Sequence, residues 1–395
     1  MSDMVKTNKK DIKTEVQKKR KTTFDKNAEN DIRLAKDVAE TEPKVQRKAT
    51  KAEIDADNRA KEESAYSLFD ITDRLPSFTQ TSSSEKRTAG RPLKYTDALI
   101  LWGIEIMAYL SIDFRAAAGI ARAILHPHGI DFPKYNRFFE RCQELTKGMI
   151  MAAPVTDARI LCRFYMEDAG DRVRRLAVDS TGLTLTNITI WRKHKWNVGP
   201  KYRGWLKVHA LVDVDSNEIV AFILTKDDVG DEGMLEYLLE LADIGEVKYS
   251  TLYADAAYSS VDNFKLVCVD RGKEFVTSFK ENTTPKNLGC SARGDAARLW
   301  CSLPYDEWVK RTGYGTRWKV ESAFSDLKRL FSEYIRATTD DGMIREVTWM
   351  IKMFNHHKRV RANIMGTTGN GVKIDSANYR TEYFFANILN PTSSM

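Results

Sequence analysis

A chain of 395 residues with 42% apolar and 30% charged side chains can hold two or three domains and at least one sizeable core. Its five cysteines form no CxxC pair, which argues against a zinc site or a disulfide framework, and no apolar run reaches the roughly 18 residues of a membrane helix. The formal charge of +7 suits a polyanionic partner without requiring one, and the N-terminus shows no apolar signal region, so a cytoplasmic protein outside the membrane is expected.

Residues 1–88 form a tail rich in Lys, Glu, Asp, Thr and Ser, too poor in apolar side chains to offset its ordering entropy, and most of it is expected to be disordered or loosely helical. Lys18, Lys19, Arg20 and Lys21 make a basic run that reads as a solvated cluster or as a phosphate contact. A short apolar patch (Tyr66, Leu68, Phe69, Ile71, Leu75) is placed to dock on the body. From residue 89 to about 160 three helices are predicted, over 95–110, 113–125 and 134–150, decorated by Arg91, Lys94, Arg115, Arg122, Lys134, Arg137 and Arg141. Such a unit suits a DNA-binding or dimerisation module and equally a plain helical cap.

Beyond residue 170 the pattern changes to strands over 176–185 (LAVDSTGLTL), 206–214 (LKVHALVDV) and 219–225 (IVAFILT), the last two joined by a tight turn at Asp215, Ser216 and Asn217. A helix over 234–242, a strand over 251–254, a helix over 260–271 capped by Ser259 or Ser260, and a strand over 274–279 follow. Residues 280–313 read as an irregular insertion, and 366–395 as a C-terminal tail. The order implies an α/β domain over 170–365, built on a mixed sheet with helices on its faces.

A helix is predicted over 316–331, within YGTRWKVESAFSDLK. At about 100° per residue, Tyr314, Arg317, Glu321 and Lys328 fall at roughly 0°, 300°, 340° and 320°, beside an apolar face of Val320, Phe324, Leu327 and Phe331. Taken alone this is an ordinary amphipathic helix. Asp179 lies on the first strand and Asp255 just past the fourth, which are commonly neighbours in a sheet of this order, and the last helix packs over their seam. Three carboxylates converging there repel one another unless a cation is present, and oxygen-only ligands favour Mg²⁺ or Mn²⁺. Two such ions would assist an in-line phosphoryl displacement. Asp179 and Asp255 also read, one by one, as a turn residue and a helix cap.

With AVDSTG, WLKVHALVD, YADAAYSS and the Y-x2-R-x3-E-x6-K spacing of Tyr314, Arg317, Glu321 and Lys328, residues 90–365 resemble the DDE transposases of bacterial and archaeal insertion sequences. The resemblance implies an RNase H-like catalytic domain, with Asp179, Asp255 and Glu321 as catalytic ligands of two Mg²⁺ or Mn²⁺ ions. It further implies that Arg317 and Lys328 contact DNA phosphates or the transposon end, with Tyr314 a supporting or DNA-contacting residue. The partners it implies are double-stranded DNA, as terminal inverted repeats and as target, and a second copy of the chain in a nucleoid-associated homodimer.

Arg192, Lys193, Lys195, Trp196 and Arg203 interleave cations with aromatics between the first two strands, a pattern that pairs phosphates and stacks on bases, or equally a solvated loop. Lys207 and His209 alternate along the second strand and are assigned to the same DNA surface, His209 reading equally as a satisfied core histidine. The basic run from His356 to Arg361 closes the final helix as a phosphate contact or a solvated end. A nuclease of the same fold without strand transfer, and a catalytically silent DNA-binding protein, remain alternatives.

Overall fold

The computed structural model describes residues 50–79, 94–150, 159–165, 172–186 and 204–365. The chain divides into Met1–Ile54, of which residues 50–54 are described, and Asp55–Met395, which carries the rest. The basic run at 18–21, residues 187–203 with Arg192, Lys193, Lys195, Trp196 and Arg203, and residues 366–395 lie outside the described residues.

Helices α1 (Lys51–Phe69), α2 (Leu75–Thr79), α3 (Asp97–Leu110), α4 (Phe114–Leu125) and α5 (Tyr135–Ile150) precede the sheet. Local chemistry sets their ends. The Thr96 hydroxyl accepts from the Leu99 N–H, Ser111 closes α3 in the left-handed conformation, and the Asp113 carboxylate accepts from the N–H groups of Arg115 and Ala116 to start α4. Leu99, Ile100, Trp102, Ile104, Ala117, Ala121, Phe132 and Phe138 form one core, which Trp349 of the last helix joins.

The strands are β1 (Ile160–Tyr165), β2 (Arg174–Leu185), β3 (Trp205–Asp213), β4 (Ile219–Lys226), β5 (Tyr249–Ala254), β6 (Glu274–Thr277) and β7 (Tyr334–Ile335). They form one sheet in the order β1-β4-β3-β2-β5-β6, with β7 beside β2. β2, β3, β4 and β1 pair antiparallel, whereas β5 runs parallel to both β2 and β6. This mixed sheet, with helices on both faces, is the RNase H-like arrangement expected. On one face Ala177, Val208 and Ala210 meet α10 (Trp318–Phe331) and α11 (Asp340–Met365), and on the other Leu176, Val178 and Leu211 meet α6 (Leu235–Ile244). Coverage of both faces explains why β4 is buried from Ile219 to Thr225 and reads as a continuous apolar run. Asn217 takes φ 60° in the β3–β4 turn, held by Asp213, whose carbonyl accepts from its N–H at 2.8 Å.

Several expectations need correction. Residues 51–69 are a regular helix and not a disordered or loosely helical tail, and Leu68 and Ile71 of the apolar patch join the core: α1 presents Ala56, Ala60, Ser64 and Leu68 at four-residue spacing to the body, a stripe too small-sided to register as an apolar face. β1 was not foreseen, because Arg163 sits mid-strand; its guanidinium reaches Glu240 at 2.5 Å. The insertion is helical, with α8 (Ser291–Ser302) and α9 (Tyr305–Thr312). The helix expected over 260–271 begins as α7 (Val261–Phe264) on the Ser260 cap and continues in π geometry over Lys265–Asp270. The basic run of α11 is neither solvated nor free for phosphate: Lys358 pairs with Asp326 at 2.5 Å and Arg359 with Glu218. Among the described residues no helix is long and apolar enough to cross a membrane.

His357, on the same run, is 2% exposed, with its ring nitrogens 3.4 Å from the Ser64 hydroxyl and 3.8 Å from Asp57. Burial pushes its pKa down to about 4; the Lys358 and Lys61 charges add to this, and Asp57 and Asp326 oppose it. Below the ordinary value of about 6.5 the unfolded chain takes up this proton first, so stability is full above that pH and falls as pH drops toward 4, by up to about 1.4 kcal/mol per unit. In denaturant titrations between pH 7.5 and 4.5, His357→Gln should flatten the decline by about that slope.

Candidate active site

The parallel register of β2 and β5 positions the first two carboxylates. Leu176 pairs with Leu252 and Ala177 with Tyr253, so the same register carried two residues further sets Asp179 beside Asp255. Asp179 accepts the N–H of Ser180 at Oδ1, 2.8 Å away, and its Oδ2 lies 3.3 Å from the Arg317 guanidinium. Burial raises its pKa to about 6; the Ser180 N–H and Arg317 oppose this, and the charges of Asp255 and Glu321 reinforce it. Asp255 caps the turn Ala256–Tyr258 through Oδ1, which accepts from the Ala257 N–H at 2.9 Å, while its carbonyl accepts from the Thr277 hydroxyl. The cap and the acidic-site readings of Asp255 are therefore compatible, one oxygen serving the cap.

Glu321 lies in the first turn of α10, its side chain 56% exposed, and pairs with the other end of the Arg317 guanidinium. Arg317 thus bridges the half-buried carboxylate of the sheet and the exposed one of the helix. It can do so because it ends a 3-10 turn, Tyr314–Arg317, that precedes α10; the regular helix starts at Trp318, two residues later than expected. Val320, Phe324, Leu327 and Phe331 bury the adjoining face of α10 in the sheet core, each contributing about 1.5–3 kcal/mol of transfer energy. Lys328, two turns beyond Glu321, is half-buried and makes no ion pair among the described residues.

Three of the residues assigned to DNA contact are used internally. Tyr314 is 7% exposed: its hydroxyl lies 3.0 Å from that of Ser278, and its ring packs 4.7 Å from Trp308 of α9. His209 is fully buried, Nε2 3.0 Å from the Thr225 hydroxyl and Nδ1 3.0 Å from Asp231, so the core-histidine reading holds. Lys207 donates to the Val229 carbonyl at 3.1 Å and pairs with Asp231 at 2.8 Å. For Lys207 and His209 the reading came from strand alternation: residues 205, 207 and 209 do point one way, but the segment 227–231 covers them, with Asp227 accepting from the Trp205 indole at 2.8 Å. Gly182 belongs to this packing, since a Cβ there would stand 2.4 Å from the Trp205 ring.

The donor set suits a hard divalent cation. All candidate ligand atoms are carboxylate oxygens, and the half-buried Asp179 already requires a positive neighbour, a place taken by Arg317. With Arg317 inserted, no group of three His, Cys, Asp or Glu side chains among the described residues stands close enough to cage an ion.

Residues 172–354 match the family model of the transposase DDE domain. Among solved structures, the strand transfer complex of the Drosophila P element transposase is similar at 11% identity over 75% of this chain and 71% of that one; its TM-score of 0.26 is too low to bear on fold or activity. No curated protein matches the chain.

Because Tyr314 is a brace and not a surface group, Tyr314→Phe should cost about 0.5–1.5 kcal/mol in urea denaturation and leave DNA affinity in a gel-shift assay unchanged. Trp308→Ala, which empties the contact beneath it, should cost about 3–5 kcal/mol.

Proposed function

We propose that this chain, whose residues 172–354 belong to the transposase DDE domain family, is the transposase of an insertion sequence, binding the ends of its element and catalysing DNA strand cleavage and strand transfer. The observation that carries the reading is the meeting of Asp179, from mid-strand β2, with Glu321, from α10, on one guanidinium, with Asp255 at the register-matched end of β5. Structural ion pairs seldom draw carboxylates from three separate elements to one edge of a sheet, where their repulsion is a standing cost.

In this reading Asp179, Asp255 and Glu321 hold two Mg²⁺ or Mn²⁺ ions. When bound, such ions neutralise phosphate charge, activate the attacking oxygen and stabilise the leaving one. The chain's own residues do the rest. The Ser180 N–H fixes one oxygen of Asp179 and leaves the other facing the site. Arg317, already the counter-cation of two carboxylates, is within reach to pair with a DNA phosphate once they are otherwise neutralised. Lys328 extends that cationic row along α10, and Arg192, Lys193, Lys195, Trp196 and Arg203, in the sequence between β2 and β3, contribute phosphate pairing and base stacking. Cleavage and joining are both phosphoryl transfers, so one site serves water and then a 3′-hydroxyl as nucleophile. Joining two ends calls for two copies of the chain.

Asp179→Asn, Asp255→Asn and Glu321→Gln should each lower cleavage of end-containing DNA by more than about a hundredfold, since removing a direct ligand exceeds the effect of removing its outer partners. DNA affinity should survive all three. Full cleavage by any one of them would sink the assignment, and cleavage by the wild type without joined products would reduce the activity to that of a nuclease. Lys328→Ala should make the dependence of log affinity on log salt shallower by about 1.

A further inference from the structure

Asp57 of α1 stands where the C-terminal ends of α10 and α11 come together, and more cations share it than it can satisfy. The Lys61 ammonium reaches it at 2.9 Å, whereas the guanidinium groups of Arg329 from α10 and Arg361 from α11 each stop 3.8 Å away. His357 also lies 3.8 Å from it, but burial keeps that ring uncharged at neutral pH. Asp326, the other carboxylate of the cluster, takes Lys358 and, at 3.0 Å, the second arm of Arg329. Lys61, Arg329, Lys358 and Arg361 thus face two carboxylates among the described residues, a surplus of like charge that repels itself.

We infer that Arg329 and Arg361 form a binding site for a phosphate of the DNA backbone. Their 3.8 Å separation from Asp57 exceeds the roughly 2.7–3.2 Å of an N–H···O hydrogen bond, so neither spends a donor on it. Lys358 and Arg359, on the same run as Arg361, are each bonded to a carboxylate, but Arg361 makes no hydrogen bond among the described residues. Both arginine side chains reach solvent, 49% and 33% exposed. The two free oxygens of a phosphodiester offer their forks the close, paired acceptors that Asp57 does not. A contact that merely tied the helices together would bring at least one guanidinium to hydrogen-bond distance of Asp57. Duplex DNA fits better than an acidic protein because Arg329 follows Lys328 on the helix that carries Glu321. At 1.5 Å per residue it lies about 12 Å along the axis from Glu321, or about three to four base steps of duplex. The inference rests on the proposed function in assuming that DNA lies along α10.

The test measures binding of the full chain to duplex DNA carrying an end of the element, by fluorescence anisotropy over a salt series. The kcat and KM of cleavage and the thermal midpoint are read alongside. Arg329→Ala and Arg361→Ala should each weaken binding by about tenfold and make the dependence of log affinity on log salt shallower by about 1. Each should raise KM and leave kcat unchanged. Arg361→Lys, which keeps the charge but not the fork, should restore the slope and only part of the affinity. Asp57→Asn, which removes the competing anion, should tighten binding. Wild-type affinity and slope in either arginine-to-alanine variant overturns the inference, as does unchanged or weaker binding by Asp57→Asn at a wild-type midpoint. Should Asp57→Asn melt early, the Arg361 pair decides alone. A wild-type chain that binds no DNA overturns the functional reading and this site with it, whereas salt-dependent binding that neither arginine alters removes only the site.

Discussion

Like charges brought near one another at the edge of a protein core repel strongly: two carboxylates about 4 Å apart at an effective dielectric constant of about 20 cost about 4 kcal/mol. Arg317 is the answer to that constraint. One guanidinium faces Asp179 in the sheet and Glu321 in the helix, and its fork geometry lets it serve both at once where an ammonium would be a single point. The position of α10 over the sheet depends on this pairing on one side and on the burial of Val320, Phe324, Leu327 and Phe331 on the other. The polar contact fixes the rotation of the helix, and the apolar one its height.

The short insertion contributes to the same end. Trp300, Tyr305 and Trp308 make an aromatic stack that ends on Tyr314, so α8 and α9 press on the turn from which Arg317 projects. The guanidinium also stands 5.9 Å from the Tyr314 ring centroid, a cation–π contact. A segment of little regularity in sequence is thereby the brace of the residue at the centre of the site.

The carboxylates were legible because each interrupts an apolar run: Asp179 in LAVDSTG, Asp255 after TLYA, Glu321 between Val320 and Phe324. The neighbourhood of β2 and β5 followed from the order of the elements. What escaped notice depends on contacts distant in sequence. Strand alternation gives the face on which Lys207 and His209 lie, but not that the segment 227–231 covers that face. The partners of Lys358 and Arg359, Asp326 and Glu218, lie on other elements, so the run looked like a free cationic end. For α1, the inward stripe of Ala56, Ala60 and Ser64 carries too little apolar area to be seen, although close approach to the body is what such small residues permit.

One amide on α11 has a bearing on the sheet. Among the described residues the pairing of β1 with β4 reaches Ala221, and Ile219 lies beyond it. The Asn355 side chain takes both of its peptide groups, accepting from the Ile219 N–H at 2.9 Å and donating to its carbonyl at 2.8 Å, as the next strand's peptide would. The helix thereby supplies a counterfeit strand residue where the ladder would otherwise continue. The buried peptide groups of Ile219 are thereby satisfied where the β1 pairing does not reach, and an unpaired polar pair at that depth would be a standing cost to the fold.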